Sequence, residues 1–324
     1  GQTLKWSAAN SRWQPADIEE SASVAEKAIF GFGMSETFGY GGETVYNATN
    51  LVSNIGVVAT DTTGVGTARH NLAASGYGGD KAIFGFGYDV VGRVNTTNLV
   101  SNAGVVATDT TGVGTARGGL AASGYGGDKA LFGFGSPGSG YTNATNLVSN
   151  AGVVSSDVTG VGSARSQLRA SVYGGDKAIF GFGMGSSSHT STTNLVSNTG
   201  VVATDTTGVG TARWRLTAAG YGSDKAIFGF GYANTVDEVS MTNLVSNTGV
   251  VASDTTGVGT ARSDLAAAGY GGDKAIFGFG KFFSNDYYTF TNYNVTNLVS
   301  NTGVMASDTT GVGTGRSQLA AAVY

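Results

Sequence analysis

The stretch YGGDKAIFGFG, residues 77–87, recurs in close copies along the chain. Gly78, Gly79 and Asp80 supply turn chemistry, because glycine adopts positive φ without a Cβ clash and Asp bonds the backbone nearby. From Lys81 onward, Ala82, Phe84 and Phe86 alternate with Ile83, Gly85 and Gly87, the period of two that marks a β-strand. Rings alternating with glycines predict sheets stacked face to face, each ring filling a hollow opposite it.

The Lys of each copy falls at Lys27, Lys81, Lys129, Lys177, Lys225 and Lys274, and the Arg of GTAR and its variants at Arg69, Arg117, Arg165, Arg213, Arg262 and Arg316. Successive members are 48, 49 or 54 residues apart. A period of this length makes 324 residues one body of six units, where length alone would suggest two domains. Within the unit that runs from Arg69 to Arg117, LAASGYG and KAIFGFG read as two strands. TNLVS and GVVAT follow a variable stretch as two more, joined by Asn102, Ala103 and Gly104. Four antiparallel strands per unit, without helix, predict an all-β fold: a six-bladed β-propeller of four-stranded blades.

The ends favour that fold over its rivals, a trimeric fibrous β-structure, a parallel β-solenoid and a string of separate modules. The first copy, AEKAIFGFG at residues 25–33, lacks the leading strand, and the chain stops at RSQLAAAVY, residues 316–324, where another copy would begin. A solenoid needs atypical capping units, whereas here residues 316–324 can complete the unit that begins at Lys27 and so close a ring. Residues 1–26 then form an N-terminal extension or attachment segment, and residues 27–324 form the propeller. A start at Gly1, without Met or an apolar leader, reads as a processed product or a piece of something longer.

Charged residues make up 12% of the chain and the net charge is −4. No basic stripe marks a nucleic-acid binder, and no apolar run is long enough to insert into a membrane. Without cysteine, disulfides and thiolate metal sites are excluded.

The order of parts resembles kelch repeats: an Arg, a small apolar strand, a turn, a strand ending in glycines, a variable loop and two further strands. The paired glycines of that family stand here as Gly85, Phe86 and Gly87, its third-strand Tyr as Leu99 and its fourth-strand Trp as Val105 or Val106. GQTLKWSAANSRWQPAD, residues 1–17, and the Thr- and Gly-rich repeats with abruptly different loops are similar to tail-fibre and adhesin sequences of bacterial viruses. That resemblance implies a virion-surface or extracellular protein, attached to other virion proteins through the N-terminal segment. A plain linker whose Trp6 and Trp13 pack on the propeller side is the alternative.

Catalytic constellations are scarce, and no cofactor or metal site is expected. His70 and His189, the only histidines, stand at non-equivalent places and read as solvated loop residues. A kelch-type copper oxidase would need a Cys ligand, and a sialidase-like propeller would need Asp-box motifs, which the chain lacks. Twelve of the 22 acidic residues and twelve of the 18 basic ones repeat with the units, so these charges read as structural.

The units differ in two places. One is the loop between second and third strands, at residues 34–48, 88–96, 136–144, 184–192, 232–241 and 281–295; the other is the pair after each Arg, for example His70 and Asn71 or Trp214 and Arg215. Antiparallel connectivity puts both on one face, the arrangement of a recognition surface on a uniform scaffold. Candidate ligand-binding residues are Phe38, Tyr40, Tyr46, Tyr88, Tyr141, His189, Trp214, Arg215, Tyr232, Phe282, Tyr287, Tyr288, Phe290 and Tyr293, with Phe283 beside them. Exposed aromatics among Asn, Ser and Thr suit sugar stacking and equally a protein receptor. The expected function is a non-enzymatic binding module, with a virion decoration subunit or a glycan hydrolase as alternatives; the oligomeric state is left open.

Overall fold

A computed structural model describes residues 27–36, 42–233, 238–284 and 289–324, together with the backbone of strands Leu4–Ser7 and Arg12–Pro15. Among the described residues the fold is all β, with no helix and with small antiparallel sheets repeated along the chain. Three-stranded sheets recur six times. In the one formed by Ala73–Tyr77, Lys81–Gly85 and Thr97–Val100, the middle strand pairs Ala74 with Phe84 on one side and Phe84 with Asn98 on the other. Its counterparts keep the same register. The sheet of the first unit takes its first strand from the other end of the chain: Ala320–Val323 pairs with Ala28–Gly31, Val323 opposite Ala28, and Ala28–Gly31 pairs with Thr49–Val52.

The expected fourth strand is reduced to isolated bridges, Val100 with Val106 and Thr97 with Thr110. Between them residues 98–99 face residues 107–109, one residue more, so a bulge interrupts the ladder. The Asn98 side chain fills the break: its Nδ2 donates to the Ala107 carbonyl at 3.0 Å and to Asp109 Oδ1 at 2.8 Å. Each sheet is therefore three strands plus a bulged edge segment, on which Asp109 also accepts from the Thr67 amide and hydroxyl of the preceding unit.

The alternation read in KAIFGFG also ends sooner than its pattern predicts. The strand stops at Gly85, and Phe86 adopts a left-handed backbone with φ of 64°. Phe32, Phe134, Phe182, Phe230 and Phe279 do the same in the other units. Such a conformation costs a bulky residue about 1–3 kcal/mol, which full burial of the ring, worth about 1.5–3 kcal/mol, offsets. Phe84 and Phe86 are both fully buried, at different junctions.

Successive sheets lock by ring and hollow. A Cβ on Gly85 would come 2.7 Å from Phe132 Cζ in the next sheet, and one on Gly133 would come 2.7 Å from Phe180 Cζ. The same contact joins Gly31 to Phe84, Gly181 to Phe228, Gly229 to Phe277 and Gly278 to Phe30. The left-handed Phe adds a second ring, Phe86 lying 5.1 Å from Phe132. The first strands lie side by side, and Ala320–Val323 touches both Ala266–Tyr270 and Ala73–Tyr77.

Because the Phe180 ring is buried and rigidly seated, Gly133→Ala is expected to destabilise the protein by about 1–3 kcal/mol through overpacking. Chemical denaturation measures this. Combined with Phe180→Leu, the loss should be non-additive by at least about 0.5 kcal/mol; additive losses would show that ring and hollow do not interact.

Candidate functional site

The repeated charges are used at the junctions. Arg117 is fully buried, with its guanidinium carbon 4.4 Å from the Phe86 ring centroid of the preceding sheet. Its Nε donates to the Phe134 carbonyl at 2.8 Å and its Nη2 to Asn146 Oδ1 at 2.6 Å, while Nη1 lies 3.6 Å from Asp157. Desolvation pulls the Arg117 pKa down to about 10, against the upward pull of Asp157. Asp157 also accepts from the Thr115 amide and hydroxyl, two residues before Arg117. The ring, Asn and Asp contacts recur up to Arg316, which lies over Phe279 and binds Asn50 and Asp61, while the Nε bond to a Phe carbonyl is missing at Arg69 and Arg213. The Gly-Gly-Asp turns carry separate ion pairs between neighbours, such as Asp80 with Lys81 at 2.7 Å.

The two variable sets meet on one face. The residue after each Arg bridges to the first residue of its variable loop: His70 to Tyr88, Gly118 to Ser136, Ser166 to Met184, Trp214 to Tyr232, Ser263 to Lys281 and Ser317 to Met34. The next residue in each unit is left-handed, and its amide donates to the carbonyl of its counterpart in the preceding unit. Gly119 bonds Asn71, Gln167 bonds Gly119, Arg215 bonds Gln167, Asp264 bonds Arg215, Gln318 bonds Asp264, and Asn71 bonds Gln318, at 2.7–3.0 Å. These six places, which hold Asn, Gly, Gln, Arg, Asp and Gln, are therefore gathered closely.

A polar and aromatic track crosses this face. His70 Nδ1 lies 2.7 Å from Gln318 Oε1, and Gln318 Nε2 donates to Glu36 at 3.3 Å. Glu36 holds Lys281 Nζ at 2.8 Å, and Lys281 lies 3.5 Å from Asp264 Oδ2. Asp264 is fully buried and also faces Arg215 at 3.5 Å, yet neither of its carboxylate oxygens accepts a hydrogen bond. Arg215 covers the Trp214 ring at 4.3 Å, and Trp214 lies 6.0 Å from Tyr232. Burial raises the pKa of Glu238, although its Oε1 accepts from the Phe283 amide at 3.0 Å. The Tyr232 phenol is pushed up by burial and by Glu238.

The loops at residues 34–48 and 281–295 are neighbours, as expected, joined by Glu36 with Lys281 and by Asn292 Nδ2 donating to the Glu36 carbonyl at 3.0 Å. Each contains a two-stranded ribbon, Met34–Glu36 with Glu43–Val45 and Lys281–Ser284 with Thr289–Asn292. Phe38, Tyr40, Tyr287 and Tyr288 lie outside the described residues.

The expectation of freely exposed aromatics is corrected for the remainder. Tyr232 is buried, and Tyr46, Tyr88, Tyr141, Trp214, Phe282, Phe290 and Tyr293 are half-buried, because the loops fold onto their own rings. Phe290 packs against Phe283 at 5.0 Å beneath the Lys281 ammonium, and the Tyr46 hydroxyl meets Ser35 at 3.1 Å. His70 is no solvated loop residue: it stacks on Tyr88 at 5.4 Å. Trp214, Arg215, Tyr232 and Phe290 are gathered around the track; Tyr141 and His189 belong to other loops. Glu36, Glu238, Asp264, Lys281 and Gln318 were not among the expected binding residues. The signal that finds the four charged ones is charge left over once the repeated set is removed; Gln318 carries none.

Arg117→Ala should cost about 3–5 kcal/mol, as breaking a buried ionic set does, with denaturant titration as the measurement. Acid should act through Asp61, Asp109, Asp157, Asp205, Asp254 and Asp308. Desolvation raises their pKa values, but Thr or Ser and Asn donors with the adjacent Arg outweigh it and hold each below 3.8. A depressed folded pKa gives stability that is complete above the unfolded value and lost as pH falls through the folded one. Thermal midpoints should thus fall steeply below about pH 4; a decline centred near pH 6 would contradict this assignment.

No protein-family model and no curated protein matches the chain.

Proposed function

We propose that the six sheets are the blades of a six-bladed β-propeller closed by residues 316–324, and that the chain is a non-enzymatic recognition module of a virion or cell surface. Three cycles of contact support the architecture: ring to hollow, first strand to first strand, and the backbone bonds running from Asn71 round to Gln318. Each returns to the sheet in which Ala320–Val323 pairs with Ala28–Gly31.

One observation carries the functional reading. The variable loops and the residue pairs after each Arg are brought onto a single face, where they include Trp214, Arg215, His70 and the ribbons anchored by Glu36 and Lys281. Half-buried rings held by polar neighbours are pre-organised, which lowers the entropic cost of binding. Sugar hydroxyls match the amides and carboxylates between the rings, so a cell-surface glycan is the ligand class proposed, and a protein receptor the alternative.

A second reading, a decoration subunit attached through residues 1–26, draws on the hairpin of Leu4–Ser7 with Arg12–Pro15. It pairs only with itself among the described strands and sets Trp6 opposite Trp13.

Replacing residues 282–294 with residues 137–143 leaves Lys281 in place and should abolish glycan-array binding at an unchanged thermal midpoint. Retained binding would remove glycan recognition by this loop, and loss of particle assembly only on deleting residues 1–26 would favour the attachment role.

A further inference from the structure

The six first strands surround a cavity in two compartments. The larger, about 290 Å³, is lined at the Gly-Gly-Asp turns by glycines, tyrosines and the repeated lysines. The smaller, about 50 Å³, lies towards the variable face, and both share Ala122, Ala170, Ala218, Ala267 and Ala321 in their walls. Alanines and the leucines Leu72, Leu120 and Leu319 make up most of the inner compartment's lining, and Arg169 is its one charged residue. The corresponding places hold Ala73, Ala121, Thr217, Ala266 and Ala320.

Arg169 is poorly neutralised. Its only hydrogen bond within the described protein runs from Nη1 to the Leu168 carbonyl at 2.8 Å, and no described carboxylate pairs with it within 4.0 Å. Asp264, the acid nearest in influence, already faces Arg215 and Lys281. Arg215 and Lys281, which face Asp264, line neither compartment, and Arg169 is the one charged residue among those that line the inner one. The remaining Arg169 donors form a planar fork, which matches an oxyanion in bidentate geometry.

We propose that this cavity is a binding site for a small oxyanion, a carboxylate or phosphate group held by Arg169, with the rest of the ligand in the larger compartment. The site is distinct from the variable-face loops and does not depend on what they bind.

Arg169→Ala is a clean test, because it installs the residue that four other sheets carry at this place. Calorimetric titration with sodium acetate and with sodium phosphate, sodium chloride serving as the ionic-strength control, should show saturable binding of at least one oxyanion to the intact chain. Affinity should fall at least tenfold in Arg169→Ala and less in Arg169→Lys, which keeps the charge without the fork. Acetate alone binding would assign a carboxylate site, and phosphate alone a phosphate site. Binding of neither anion, equal binding by Arg169→Ala, or a large drop in the thermal midpoint of Arg169→Ala in anion-free buffer would overturn the proposal, the last by making Arg169 a structural counter-ion of Asp264.

Discussion

Everything in this fold hangs on the junction between successive sheets, where a phenylalanine ring occupies the hollow over a glycine and a buried arginine lies on a second ring. The glycine removes the Cβ that would strike the ring, and the left-handed phenylalanine offers a π face to a guanidinium that would otherwise be expensive to bury. Asn and Asp from the bulged edge then satisfy the arginine from the sheet's own outer strand. Packing, hydrogen bonding and charge are thereby coupled at one place, repeated unit after unit.

That coupling explains why the scaffold is nearly invariant within the chain while one face varies. A ring-in-hollow contact tolerates neither a larger glycine substitute nor a smaller ring. The loops after the glycines, and the residue pair after each arginine, are tied to the scaffold by backbone hydrogen bonds and, in four loops, by an Asn side chain bonded to a glycine carbonyl, which leaves most of their other side chains free to differ. The proposed recognition surface exists because the interface beneath it does not read those side chains.

Much of this was legible from residues. The period, the strands of KAIFGFG and TNLVS, the pairing of residues 316–324 with the strand after Lys27, and the gathering of variable segments follow from alternation and antiparallel connectivity. The fourth strand was overread because GVVAT alternates like a strand, while the extra residue that makes its bulge shows only when the partner strand is aligned. Phe86 was placed in a strand because a period of two cannot reveal a left-handed backbone. The aromatic loop residues were expected in solvent, since ring content says nothing about what a loop folds against.

The polar track was the least visible part, for a different reason. Glu36, Asp264, Lys281, Arg215 and Arg169 are scattered over more than 240 residues, and only three-dimensional proximity unites them. Setting aside the charges that repeat leaves a short list in which these five stand out, a step any repeat protein permits.

The proposed closure of the propeller rests on the strand Ala320–Val323 completing the sheet of Ala28–Gly31. The chain lacks cysteine, and Ala28 stands directly opposite Val323, a spacing that suits a disulfide. Oxidation of the Ala28→Cys, Val323→Cys double variant should produce a quantitative intramolecular bridge in a monomer with raised thermal stability. Free thiols that persist after oxidation of the folded protein, or bridges found only between molecules, would contradict the closure.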